Sequence, residues 1–257
     1  MSVKSKSSAW IYTDADNTLW DTNAVFETAQ LKMLSSAESI AGRAAPEAQR
    51  VEFLRRYDQA IAKRHHSKLR YPPPLLMRAL MLGLEGMSPD DAAVKVVAHG
   101  AVPDAEQAHA IAIYQAELAR TPPLLPGVLS GLELAAANKV PVYVVTEGSV
   151  ESARGRAEVL AIKPYLAGIL SATKSADLYV RLKERAAPRR AIMIGDQPDR
   201  DIRLAHNAGV TTVFVRGRFR PDWHSEEDAA VADAIVETFE AAVTWILDEA
   251  KTMEFID

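Results

Sequence analysis

From Leu125 to Val215 the chain alternates short apolar runs with amphipathic stretches, and this alternation restricts the fold more than any other feature. Strands are predicted over Val140 to Val145, Gly168 to Ser171, Ala191 to Ile194 and Thr211 to Val215. Helices are predicted over Val128 to Asn138, Val150 to Leu160, Ser175 to Ala186 and Asp201 to Ala208. Strands separated by helices of this length pair in parallel through right-handed crossovers, with helices on both faces of the sheet. Trp10 to Thr13, β-branched and aromatic, reads as the first strand of that sheet. A last helix is predicted from Ala234 to Ala250, with Ile235, Phe239, Val243, Ile246 and Leu247 on one stripe. The expected core is therefore a doubly wound, Rossmann-like α/β fold.

Residues from about Ala24 to Arg120 have another character. They are rich in Ala, Leu, Glu, Gln, Lys and Arg, with apolar residues at helical spacing at Val25, Ala29 and Met33 and again at Val51, Leu54, Tyr57 and Ile61. Pro72-Pro73-Pro74 interrupts the pattern, and Ser88-Pro89-Asp90-Asp91 reads as an N-cap followed by Pro at the first helical position. Asp104 to Arg120 reads as the last helix, and Thr121-Pro122-Pro123 ends the block. Because the block begins just after the first strand, residues 1–22 and 122–257 are expected to form the core, and 23–121 an inserted all-helical domain. Hydrophobic residues at 48% and charged residues at 25% are ordinary for a globular chain of 257 residues. A net charge of -4 gives no general attraction to nucleic acid or to anionic membranes. No apolar run has the length of a membrane span, and no signal peptide is read at the N-terminus. A cytoplasmic protein without nucleic-acid or membrane partners is expected. The absence of Cys excludes disulfides, thiolate nucleophiles and Cys-ligated metals.

The chemistry collects at the strand ends. Asp14 and Asp16 follow the first strand, and residues i and i+2 of an extended segment point the same way. Two such carboxylates repel unless a divalent cation or a shared proton compensates. The second strand ends at Thr146-Glu147-Gly148-Ser149, where a hydroxyl and loop amides suit a phosphate oxygen, although Thr146 or Ser149 taken alone reads more readily as a helix cap. Lys174 follows the third strand and, taken alone, is an ordinary surface lysine. The fourth strand runs into Gly195-Asp196-Gln197-Pro198-Asp199-Arg200-Asp201, which by itself could be an acidic turn with Asp201 near a helix N-terminus. One sheet topology brings all four segments to the same rim.

In this order the motifs resemble those of the haloacid dehalogenase superfamily: Asp14-Ala15-Asp16-Asn17-Thr18, then Thr146, then Lys174, then Gly195 to Asp201. The resemblance implies that Asp14 is a nucleophile forming an aspartyl-phosphate, and that Asp16 protonates the leaving oxygen and then activates water. It implies Mg²⁺ on Asp14, the backbone carbonyl of Asp16, and Asp196. Ala15, Thr146, Glu147 and Lys174 would form the phosphate-binding surroundings, with Asp201 and Thr18 behind them. Asp16 points to a phosphohydrolase, because dehalogenase members lack this carboxylate and the ion pumps carry Thr there. Two departures stand out. Lys174 is not followed by the Pro that often accompanies this motif, and Glu147 is an acidic neighbour for a phosphate loop.

The insertion matches in position the helical cap of that superfamily, whose contacts would set substrate choice. Its basic stretch, Lys63 to Arg70, reads either as contacts to an anionic substrate or as a solvated helix end. Tyr57, Trp20 and Asn23 are further candidates, with a core role favoured for Tyr57 and Trp20. The expected function is a Mg²⁺-dependent phosphomonoesterase acting on a small phosphorylated metabolite. A phosphomutase is an alternative on the same core, as is a phosphonate-cleaving enzyme using Lys32, Lys63 or Lys68 for an imine, or a non-catalytic binding protein.

Overall fold

A computed structural model describes residues 9–66, 71–217 and 226–254 of the chain. They divide into two compact units, one running up to Thr22 and resuming at Thr121, the other spanning Asn23–Arg120.

The first unit is built on a six-stranded parallel sheet of order β3-β2-β1-β4-β5-β6. Its strands are β1 Ala9–Thr13, β2 Val142–Thr146, β3 Leu166–Ser171, β4 Arg190–Gly195, β5 Thr211–Val215 and β6 Ala234–Val236. Strand periodicity sorts the side chains into two layers. Ile11, Val142, Val144, Ile192, Ile194 and Val213 pack with Val128, Leu132, Ala153, Phe239, Val243 and Ile246 from one side. Tyr12, Val145, Ala191 and Met193 pack with Leu178, Tyr179, Leu182 and Ala205 from the other. The helices are α6 Val128–Ala137, α7 Val150–Val159, α8 Ala176–Ala186, α9 Arg203–Asn207, α10 Glu226–Ala230 and α11 Phe239–Glu254. α6 meets α11 at Gly131, where a Cβ would come 2.7 Å from the Phe239 ring and 3.0 Å from the Glu240 backbone.

Two expectations are corrected. The stretch from Ala234 is not helical at its start: Ala234–Val236 pairs in parallel with β5, and α11 begins at Phe239. The reason is local. Ile235 and Val236 suit a strand, and the Thr238 hydroxyl accepts from Ala241 N, starting the helix there. Ile235 is consequently exposed, while Phe239, Val243 and Ile246 keep their buried stripe. The second correction is the segment from Asp201, which is not one helix. A π-turn, Pro198–Ile202, precedes α9.

The chain leaves this unit and returns to it through one doorway. Asp21 N donates to Pro123 O at 2.8 Å, Leu125 N donates to Leu19 O at 3.1 Å, and Trp20 bridges Leu124 antiparallel.

The second unit holds α1 Thr22–Ala41 over most of its length, α2 Arg50–Arg64, α3 Pro73–Leu84, α4 Pro89–His99 and α5 Ala105–Leu118. Ser88 caps α4 and Asp104 caps α5 through their side-chain oxygens. A buried carboxylate ties three segments together. Asp58 accepts from Gln30 Nε2 at 3.0 Å, from Gln59 Nε2 at 3.1 Å and from the Tyr71 hydroxyl. Burial pushes the Asp58 carboxyl above its usual range, against these three donors. A carboxyl raised in this way favours the fold below its unfolded pKa, and that contribution fades as pH rises through the folded value. Asp58→Asn should be tolerated, because Gln59 Oε1 is buried without a hydrogen-bond partner and can turn to accept from the new amide. Thermal unfolding should put the variant within about 1 kcal/mol of wild type at pH 7. The wild type should gain on the variant as pH falls toward 4; equal pH profiles would contradict this. Among the described residues no helix is long and apolar enough to cross a membrane.

Candidate active site

The chain runs from β1 outward to β2 and β3, then crosses back to β4 on the other side of β1. The carboxyl end of β1 is thus a topological switch point, where the loops on either side diverge and leave a crevice. Asp14 sits there, its N–H donating to Ile194 O of β4 at 2.9 Å. Lys174, just beyond β3, reaches in so that its Nζ lies 2.5 Å from Asp14 Oδ1 and 2.5 Å from Asp201 Oδ1. The three side chains are all but inaccessible, at 2%, 6% and 0% for Lys174, Asp14 and Asp201. Asp196 completes the group, with Thr18 Oγ1 3.4 Å from its Oδ1. One oxygen each from Asp14, Asp196 and Asp201 lie within 4.8 Å of one another.

Asp201 is set by backbone. Its N–H donates to Gln197 O at 2.8 Å and its Oδ2 accepts from Gln197 N at 3.2 Å, closing the π-turn on itself. The side chain lies flat against Gly195, where a Cβ would fall 2.4 Å from Asp201 Oδ2. Glycine at the end of β4 is therefore required by close approach.

Burial beside other carboxylates governs the protonation of Asp14 and Asp196. Burial pushes the Asp14 carboxyl up to about 7, with the Lys174 ammonium pulling it down and Asp201 pushing it further up. Asp196 is pushed well above the carboxylate range by burial and then by the charges of Asp14 and Asp201. For Lys174 burial favours the neutral amine, yet Asp14 and Asp201 outweigh it and hold the ammonium above its ordinary value. One lysine cannot balance three ionised carboxylates, so all three ionise together only beside a further cation, and Asp14 Oδ2 is buried without a hydrogen-bond partner. A hard divalent cation with oxygen ligands fits that donor set.

The loop after β2 supplies hydroxyl and amide. Thr146 is buried and its Oγ1 accepts from Gly148 N at 3.0 Å, which leaves its own proton to donate. Ser149 is a helix cap, accepting from Ser152 N at 3.0 Å. The Glu147 carboxylate turns to Lys174 N at 3.1 Å and to Arg200 at 2.5 Å, so it ties together the loops after β2, β3 and β4. Tyr179 adds to the same support by donating to Arg200 O at 3.0 Å.

Asp16 stands apart from the carboxylate cluster. Its Oδ1 accepts from Thr22 Oγ1 at 2.7 Å, Trp20 Nε1 at 2.8 Å and Arg156 Nη1 at 3.0 Å, and its side chain is 42% exposed. Ala15 is buried, and its carbonyl accepts from Leu19 N at 2.9 Å in the turn that carries these residues. Sequence reasoning missed Arg156, Arg200 and Tyr179. Arg156 and Tyr179 lie within helices and Arg200 among turn acids, and no spacing distinguishes them from surface or core residues.

Of the candidates in the helical unit, Tyr57 is buried and donates to Met87 O at 2.5 Å. Asn23 lies in the first turn of α1. Lys32 pairs with Glu117 at 2.5 Å, and Arg64 with Asp90 at 3.0 Å. Lys63 lies in the last turn of α2. The His65 and His66 rings lie with centroids 4.3 Å apart, tilted by 31°. Ser67 to Arg70, including Lys68, lie outside the described residues. Trp20 belongs to the sheet core, as favoured, while its indole N–H serves Asp16.

Solved structures share this architecture at low sequence identity. A haloacid dehalogenase-like family hydrolase from Xanthomonas campestris aligns at 15% identity and a TM-score of 0.61, covering 95% of this chain and 96% of its own. A protein described as a predicted phosphoglycolate phosphatase from Haemophilus somnus aligns at 16% and 0.57, covering 95% and 99%. A haloacid dehalogenase-like family protein from Streptococcus pneumoniae aligns at 18% and 0.52, covering 94% and 99%. At such identities the likeness speaks for the fold alone. Among curated proteins none matches this sequence. A family model for haloacid dehalogenase-like hydrolases matches residues 10–209. That span takes in the ends of β1, β2, β3 and β4 with the loops that follow them, and the chain belongs to this hydrolase family.

Proposed function

We propose that this hydrolase is a Mg²⁺-dependent phosphomonoesterase of small phosphorylated metabolites. The observation that carries the reading is the unlike setting of two carboxylates two residues apart. Asp14 is buried against Lys174 with one oxygen unpartnered, whereas Asp16 is half-exposed and held by neutral and cationic donors. Such a split suits the two to different work: Asp14, beside Lys174 and the carboxylate cluster, to attack, and Asp16, outside that cluster, to move protons. An Asp14 oxygen attacks phosphorus, the ester P–O bond breaks, and the leaving oxygen takes the proton of Asp16. Asp16, now a carboxylate, takes a proton from water as that water attacks the aspartyl-phosphate. The P–O bond to Asp14 breaks and phosphate leaves. Lys174, Thr146 and the amide of Ala15 offset and orient the phosphoryl oxygens. Mg²⁺ would be held by Asp14, Asp196 and the Asp16 carbonyl, and supplies charge against the phosphoryl oxygens when bound.

A panel of phosphate monoesters assayed with and without Mg²⁺ tests the proposal, and no phosphate release from any ester would overturn it. Conversion of a sugar phosphate to its isomer without phosphate release would show a mutase. Asp16→Asn should slow hydrolysis of alkyl phosphates by about 10² to 10⁴. Para-nitrophenyl phosphate, whose leaving group hardly needs a proton, should then leave labelled phosphoenzyme to be trapped by acid quench. Wild-type rates on alkyl esters would remove Asp16 from proton transfer.

A further inference from the structure

We infer that Arg156 is a positioning residue for the proton-transfer carboxylate, fixing Asp16 through a donor that its own loop does not provide. The inference rests on the phosphohydrolase reading of Asp16. Three donors converge on one oxygen, Asp16 Oδ1. Trp20 and Thr22 follow Asp16 by four and six residues, so they are donors from the same short segment. Arg156 is 140 residues away in sequence, on α7, the helix that follows the Thr146 loop. It alone of the three ties the Asp16 carboxylate to a helix distant in sequence.

The same guanidinium carbon lies 6.0 Å from the centroid of the Trp20 ring, within cation–π range. Arg156 therefore bears on two of the three donors, one directly and one through the ring that carries it. A carboxylate 42% exposed, on a short rotatable stem, would otherwise exchange among rotamers. With Oδ1 occupied by three donors, Oδ2 is left to exchange protons with leaving group and water. An arginine suits this part because its planar fork stacks on an indole and donates along one edge at once.

The test compares Arg156→Met and Arg156→Lys with wild type by kcat/KM, which reports the first chemical step, on an alkyl phosphate and on para-nitrophenyl phosphate. Misplacing a catalytic group by about an ångström costs on the order of 10²-fold. Arg156→Met should lose about that on the alkyl ester and only a few-fold on the aryl ester, with Arg156→Lys recovering part of the difference. On an Asp16→Asn background Arg156→Met should cost nothing further. Equal losses on both esters, or losses that multiply with Asp16→Asn, would reduce Arg156 to a packing residue of α7 and overturn the inference. The indole N–H resonance of Trp20, assigned with Trp20→Phe, gives a readout that needs no turnover. It should shift in Arg156→Met, and an unmoved resonance overturns the tether whatever the protein hydrolyses. Wild type that releases phosphate from neither ester defeats the phosphohydrolase reading, while the resonance still decides the contact.

Discussion

Asp14→Asn should leave a folded protein with turnover of phosphate monoesters reduced by about 10⁵-fold or more, the scale of loss when a nucleophile is removed. The amide keeps an oxygen for Lys174, so the buried pair becomes a hydrogen bond and the site does not open. Stability should move in the opposite direction from activity. The wild-type carboxyl sits at about 7 in the fold, above its unfolded value, so its contribution is present in acid and fades as pH rises through 7. Above that pH the variant, with no charge to bury, should melt at or above the wild-type temperature. Near-normal turnover would remove Asp14 as the attacking group, and a strongly lowered melting temperature at pH 8 would show that the ion pair holds the fold together.

Lys174→Met is the converse case, costing both activity and stability. It strands Asp14 and Asp201 without their shared cation in a place water hardly reaches. Breaking a buried pair by removing one partner commonly costs about 3–5 kcal/mol. Without the ammonium, the folded pKa of Asp14 rises further from its unfolded value. The protonated fold is then preferred in acid, and the deficit grows as pH climbs through neutrality. Chemical unfolding at pH 5 and pH 8 should therefore show the larger loss at pH 8, with catalysis absent at both. A loss independent of pH would mean that the lysine's aliphatic stem, and not its charge, is what matters there.

Much of the sheet could be read directly from the sequence because parallel strands covered on both faces are nearly all apolar, and Val142–Thr146 or Thr211–Val215 have no charged residue to confuse the signal. The sixth strand was hidden for the opposite reason. Ala234–Val236 is three residues long, joins the sheet at its edge, and merges in sequence with the helical stripe that begins at Phe239. At the site, Asp14, Thr146, Lys174 and Asp196 could be placed together because each lies at the carboxyl end of a strand or within three residues of it, so topology alone gathers them. Arg156 and Arg200 could not. Each acts through a side chain that extends from a helix or turn toward a loop far away in sequence, and nothing in local spacing records such a reach. Glu147 was visible as an oddity among phosphate-loop residues, but only its partners, Arg200 and the Lys174 amide, show that the acid faces its own protein.

The paired segments Leu19 to Asp21 and Pro123 to Leu125 make the helical unit exchangeable in principle. Since the chain departs and returns across two backbone hydrogen bonds, the core closes its own seam whatever is threaded between. The entropic cost of closing such a loop grows only with the logarithm of its length. A lineage built on this arrangement can lengthen, trim or replace the intervening helices while the strand ends keep their register.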